Sequence, residues 1–190
     1  MSKDRLSIAA TWSQQLRAAL LGLSSEVTPD EIEAVRASLS SLAWLDGCPT
    51  AHRARSDSEL AYRRQLLAAA PDNSYSTLLI TWPPGHVTPL HDHSQLWGIE
   101  LVLDGALEVK EFMGTQSAPI ELQFNRSVIL GAGDATTFVD PGYVHSCRNM
   151  SDTKAALSLH VYGGMLDNYQ AFQRDMHGSF VTTKKKAELI

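Results

Sequence analysis

Residues 85–105 read GHVTPLHDHSQLWGIELVLDG, and this stretch decides how the rest of the chain is read. His91 and His93 lie one residue apart in a run of strand-forming residues. On a strand, side chains at i and i+2 leave the same face, so both imidazoles point into one space. Two converging imidazoles suit a borderline divalent metal, and a third histidine would close the site. His145, in DPGYVHSCRN, is the candidate for that third ligand. A purely structural HxH pair is the alternative. His52 and His177 stand alone and are read as satisfied polar or surface residues. Pro89, Gly85 and Gly98 suggest backbone shaped closely around the pair.

Around this stretch the chain continues as strands. SYSTLLITW, QLWGIELVL, ALEVKEFM, APIELQF, SVILG, TTFV and ALSLHVY are short and rich in Val, Ile, Leu, Thr and aromatics. Asp104-Gly105 and Gly131-Ala132-Gly133-Asp134 supply turns between them. Many short strands at this spacing predict a closed sandwich or barrel rather than βαβ units. In ALSLHVY, Ser158, His160 and Tyr162 share one face and line one wall, since the opposite choice would put Leu157, Leu159 and Val161 in water. A satisfied polar network is one reading of that wall, and a working layer behind a metal is the other. The tail KKKAELI is expected to be solvated.

Upstream, the pattern is helical. Leu6, Ala9, Ala10, Leu16, Leu20 and Leu23 fall at the helical period. Thr28-Pro29-Asp30-Glu31 then gives an N-cap, a first-turn proline and a capping-box glutamate, with Ile32, Val35, Leu39 and Leu42 on one face. A third helix is predicted from Ser56, with Glu59 completing its cap, to about Ala69. The expected organisation is one domain over residues 1–190, with a helical part at 1–70 and a β-barrel at 74–182. On the third helix Arg64 falls inside the apolar stripe, between Leu60 and Leu67. A buried guanidinium needs an anionic partner. A structural ion pair or a snorkelling head group would also satisfy it.

The composition narrows the classes of function. At 190 residues, 44% hydrophobic and 19% charged, the chain suits a soluble globular domain. A net charge of −5 argues against nucleic acid or an anionic membrane as the main partner. No apolar run approaches a transmembrane span. The opening MSKDRLSIAATWSQQLRAAL mixes charge and polarity too evenly for a secretory signal, so the cytoplasm is the expected compartment. Cys48 and Cys147 are the only cysteines, which indicates neither a disulfide framework nor a thiolate zinc site. A monomer is expected.

The sequence resembles the cupin superfamily, whose first motif is matched by Gly85, His91, His93 and Gly105 and whose second is matched by Pro141-Gly142, His145 and Asn149. The resemblance implies a mainly β double-stranded β-helix, a jelly-roll-like barrel, with N-terminal α-helices. In most cupins a glutamate follows the HxH as fourth ligand, and Gly98 stands there in this chain. Glu100 would share the face of Gly98 but would need a register shift to reach back to the ion. The resemblance therefore implies a three-histidine site of His91, His93 and His145. Without a carboxylate ligand, the ion keeps its full charge and open positions for a chelating thiolate and dioxygen, which suits an iron(II) oxygenase.

More narrowly, the chain looks like the cysteine dioxygenase branch of the thiol dioxygenases. Tyr62-Arg63-Arg64, Trp82-Pro83-Pro84-Gly85-His86 before HDH, His145 with Asn149, and Ser158-x-His160-x-Tyr162 match that family's segments. The resemblance implies Fe(2+) on the three histidines, with Arg64 on the carboxylate of L-cysteine and Tyr62 supporting the same end. Tyr162, held by His160 and Ser158, would hydrogen-bond an oxygen intermediate or the carboxylate, and both atoms of O2 would pass to sulfur to give cysteine sulfinate. Animal members cross-link a cysteine at the position of Gly98 to the tyrosine, so Tyr162 is expected as a free phenol, as in bacterial members. Relatives that oxidise 3-mercaptopropionate carry Gln where Arg64 stands, so Arg64 points to cysteine. The rival readings are a dioxygenase of 3-mercaptopropionate or another small thiol, a non-enzymatic metal-binding cupin sensor, and a cupin isomerase.

Overall fold

The computed structural model describes residues 12–52, 61–115 and 119–189. Helix α1 covers residues 12–19 and buries Trp12 and Leu16, with Leu20 just beyond. Leu6, Ala9 and Ala10 of the expected first helix lie outside the described residues. Helix α2, Pro29–Ser40, begins as its capping box predicts. The Glu31 amide donates to Thr28 Oγ1 at 3.3 Å, and the Thr28 amide donates to the Glu31 carboxylate at 2.7 Å. Its inner face buries Ile32 and Leu39, and a 3-10 turn, Ser41–Trp44, adds Leu42.

The expected third helix is corrected. Ser56 and Glu59 lie outside the described residues, and the remainder, Arg63–Ala69, is a strand, β1. It pairs antiparallel with β2 (Ser76–Trp82), with Arg64 opposite Ile80. RRQLLAA is rich in helix formers, but pairing with β2 satisfies its backbone along the sheet. A register shift between Leu66 and Ala68 breaks the strict alternation, which explains why the pattern imitated a helical period.

The remaining strands are β3 (Leu90–His91), β4 (Gly98–Asp104), β5 (Ala106–Gly114), β6 (Leu122–Gly131), β7 (Ala135–Phe138), β8 (Tyr143–Asn149), β9 (Ala156–Tyr162), β10 (Asn168–Arg174) and β11 (Phe180–Lys186). APIELQF and SVILG contribute to the single strand β6. Lys184, Lys185 and Lys186 of the tail are solvent-exposed as expected, and their backbone pairs on β11 with β10. A five-stranded sheet runs β1-β2-β9-β4-β7, and a six-stranded sheet runs β11-β10-β3-β8-β5-β6. These two antiparallel sheets form the mainly β, cupin-type double-stranded β-helix, without closing into one hydrogen-bonded barrel among the described residues.

Two apolar layers result. Strands β4 and β9 alternate strictly, so Ile99, Leu101, Leu103, Leu157, Leu159 and Val161 leave one face and pack under Trp12, Leu16, Leu20, Ile32, Leu39 and Leu42. The opposite faces join Leu78, Ile80, Trp82, Val109, Phe138 and Tyr143 in a second core. Every residue of β9 is therefore buried. The helices cover the leucine face, and the polar face turns inward between the sheets.

Candidate metal centre and its cavity

His91 ends the two-residue strand β3 and lies in register with His145 on β8. His93 follows two residues later and is only 4% exposed. Ligand nitrogens of His91, His93 and His145 all lie within 4.8 Å of one another. His91 Nε2 and His145 Nε2 are 3.2 Å apart, close to the spacing of two adjacent donors each about 2.1 Å from one ion. His91 Nδ1 faces the Pro89 carbonyl at 2.9 Å. A carbonyl only accepts, so the His91 proton sits on Nδ1 and the Nε2 lone pair points at the common centre. Both ring nitrogens of His93 are buried without a hydrogen-bond partner among the described residues. That is costly for a polar ring unless a metal takes one of them. The donor set thus fits a divalent cation.

Burial, then the neighbouring His145, pushes the His91 pKa down to about 3. The same causes in the same order hold His93 well below its ordinary value. His91 and His93 are therefore neutral and ready to ligate at ordinary pH.

His91 and His145 line a cavity of about 220 Å³, whose wall also includes Tyr62, Arg64, Trp82, His86, Glu100, His160, Tyr162 and Tyr169. That volume is small beside the roughly 300–1,000 Å³ of drug-sized pockets. Arg64 reaches it from β1, and its Nε is buried with no acceptor among the described residues. Tyr62 stacks on His86 at 4.5 Å and meets the Trp82 ring edge-on at 5.2 Å. Burial pushes the Tyr62 and Tyr162 phenols up, so both stay protonated.

Ser158, His160 and Tyr162 form one chain on the inner face of β9. Ser158 Oγ is 2.9 Å from His160 Nε2, and His160 Nδ1 is 3.0 Å from the Tyr162 hydroxyl. Trp82 Nε1–H donates to Ser158 Oγ at 2.8 Å, a contact that spacing along the chain does not encode. Asn149 serves the frame instead. Its Nδ2 donates to the carbonyls of Trp82, Pro83 and Lys154, which pins the segment entering the HxH loop.

Gly98 pairs with Tyr162 on one side and Phe138 on the other. A Cβ there would lie 2.2 Å from the Phe138 ring, so that ring fills the space of any side chain at this position. Glu100, two residues on, is 2% exposed and shares the inner face with Gly98. Its Oε2 is 3.3 Å from His145 Nδ1, and its Oε1 is 3.4 Å from His160 Nε2 and accepts from the Cys147 thiol at 3.3 Å. It thus reaches the ring nitrogen of His145 opposite the one facing His91, and it is not among the three histidine donors that converge on the common centre. Burial pushes its pKa up, but His145, His160 and the Cys147 thiol more than offset this and hold it at about 2. Glu100, His145 and Cys147 also place donor atoms within 4.8 Å of one another. Burial and then Glu100 push the Cys147 thiol well above its ordinary value, so it is a neutral donor to the carboxylate rather than a thiolate ligand.

Among the described residues, no helix is long and apolar enough to cross a membrane. Among solved structures, an oxalate oxidase in complex with the substrate analogue glycolate is similar over 55% of this chain and 50% of that one (21% identity, TM-score 0.42). The Schizosaccharomyces pombe Cnp3 cupin domain is similar over 57% of this chain and 66% of that one (14% identity, TM-score 0.43). Human cysteine dioxygenase type 1 is 27% identical over 158 residues, which is 83% of this chain and 76% of the human protein. The mouse protein of that name is 27% identical over 122 residues, 64% of this chain and 60% of its own. The sequence profile of cysteine dioxygenase type I matches residues 7–175, and the chain belongs to that family.

Proposed function

We propose that the protein is an iron-dependent thiol dioxygenase whose substrate is L-cysteine, converted with O2 to cysteine sulfinate. The observation that carries this reading is the three-imidazole donor set, with no side chain at Gly98, at a small cavity where Arg64 presents an unpaired buried Nε–H. His91, His93 and His145 would hold iron(II), which when bound would supply the Lewis-acid and redox chemistry that activates the thiol and dioxygen.

The chain's own residues then bind and orient. Arg64 pairs with the substrate carboxylate, a charge-assisted contact strengthened by burial. Tyr62, stacked on His86, holds the same end of the cavity. Tyr162 presents its hydroxyl beside the reacting atoms, positioned by His160, Ser158 and Trp82. Apolar walls at Ile80 and Leu166 limit water around the sulfur. Fixing one small thiol against one oxygen molecule is chiefly an orientation effect. The balance needs no outside reductant, because RSH and O2 give RSO2H, with sulfur losing four electrons and dioxygen gaining them.

The test is anaerobic iron loading followed by oxygen uptake with L-cysteine, cysteamine and 3-mercaptopropionate. Preference for L-cysteine, with one O2 consumed per sulfinate, supports the reading. Preference for 3-mercaptopropionate replaces the substrate but keeps the chemistry. No uptake with any thiol favours a metal-binding cupin without this activity.

A further inference from the structure

Glu100 is a buried carboxylate that the proposed reaction does not use, and its contacts run in two directions. One oxygen, Oε2, faces His145 Nδ1 at 3.3 Å, although off the hydrogen-bond axis. The other, Oε1, lies 3.4 Å from His160 Nε2 and accepts from the Cys147 thiol. The strand register produces this placement. On β4, Glu100 sits opposite His160 of β9, while His145 and Cys147 share one face of β8 across the cavity.

We propose that Glu100 is a positioning residue that sets the proton placement of both His145 and His160, tying the metal centre to the Ser158–His160–Tyr162 chain. This rests on reading His91, His93 and His145 as a metal centre. Neither contact is a formed hydrogen bond, but a carboxylate 3.3–3.4 Å from a ring nitrogen repels a lone pair there and favours an N–H. For His145, whose Nδ1 also meets the Tyr143 hydroxyl at 3.4 Å, an oxygen able to accept the same hydrogen, that leaves the Nε2 lone pair on the side of His91 Nε2, 3.2 Å away. A carboxylate behind a ligating imidazole raises its basicity and fixes its ring. For His160 the hydrogen sits on Nε2, so Nδ1 accepts from the Tyr162 hydroxyl 3.0 Å away. A second arrangement competes, because Ser158 Oγ, which accepts from Trp82 and lies 2.9 Å from His160 Nε2, can donate to Nε2 while Nδ1–H donates to Tyr162, and the Glu100 charge tips the balance against it. The carboxylate therefore decides whether the Tyr162 oxygen meets the cavity with a lone pair or with a hydrogen.

The test uses full-length protein labelled with 15N-histidine, and Co(II) as the metal probe. In the wild type, imidazole NMR of the metal-free protein should show hydrogen on Nδ1 of His145 and on Nε2 of His160, and the reverse at either ring overturns the proposal without any variant. Glu100→Gln and Glu100→Leu should each weaken Co(II) binding, measured by chelator competition, by roughly 10- to 100-fold. They should also mix the His160 tautomers. Melting curves select the variant that folds. A folded variant with wild-type Co(II) affinity, or with an unchanged His160 tautomer, overturns the proposal. If the wild type itself fails to bind Co(II), the metal-centre reading fails instead, and the His160 result still decides the other limb.

Discussion

In the proposed reaction, Arg64 is the residue on which substrate choice would turn. Its buried Nε has no acceptor among the described residues, and it lines the same cavity as His91 and His145. Arg64→Ala should raise KM for L-cysteine roughly 10- to 100-fold, the equivalent of about 1.5–3 kcal/mol for a hydrogen bond to a charged group. Bound iron should stay at the wild-type level. Steady-state oxygen uptake with parallel metal analysis checks both, and an unchanged KM removes the carboxylate role. At this scale much of the candidate site was legible in the sequence. The HxH spacing and the period-two polar face of ALSLHVY each encode a shared direction, and the structure groups those side chains as that geometry requires. Glu100 was visible as an acid on the inward face of GIELVLD, but its reach to His145 depends on how the two sheets face each other, which spacing along one strand does not encode.

Elements carry the next level. Thr28 caps α2, whose inner residues cover the outer face of β4 and β9. Thr28→Ala removes the side-chain acceptor and should cost about 1 kcal/mol in a denaturant melt. Capping was legible because it is local. The strand β1 was not, because RRQLLAA has helix-forming side chains and its bulge erases the alternation that marks a strand. Its pairing partner, Ser76–Trp82, supplies what the local sequence lacks. Gly98 and Phe138 form another pairwise device. Gly98→Cys should destabilise the protein by about 1–3 kcal/mol through overpacking against the Phe138 ring, and should leave Tyr162 without a thioether. Melting curves and intact mass read the two outcomes separately, and a cross-link forming at wild-type stability contradicts the packing argument.

For the whole molecule, two apolar layers flank the five-stranded sheet, one under the helices and one between the sheets. The sequence argument for an inward polar face on β9 assumed that its leucines needed shelter from water. The helices provide that shelter, so both faces are buried, and only the docking of distant segments reveals it. Burying so many imidazoles has a consequence for stability. His91, at about 3, and His160, at about 4, are lowered chiefly by burial, and His93 is likewise held well below its ordinary value. In the unfolded chain they take up protons near pH 6.5, so below about that pH the unfolded state binds more protons than the native one. Stability is full above that pH and is lost as pH falls towards about 4, by up to about 1.4 kcal/mol per pH unit for each imidazole. Melts of metal-free protein should be flat from about pH 7 to 8 and fall steeply below about 6. A melting temperature unchanged down to about pH 5 contradicts the burial of neutral imidazoles. The most direct test of the central claim is to supply 18O2 to iron-loaded protein with L-cysteine and weigh the product. The account predicts cysteine sulfinate carrying two 18O atoms, whereas no sulfinate, or sulfinate whose oxygen comes from water, contradicts it.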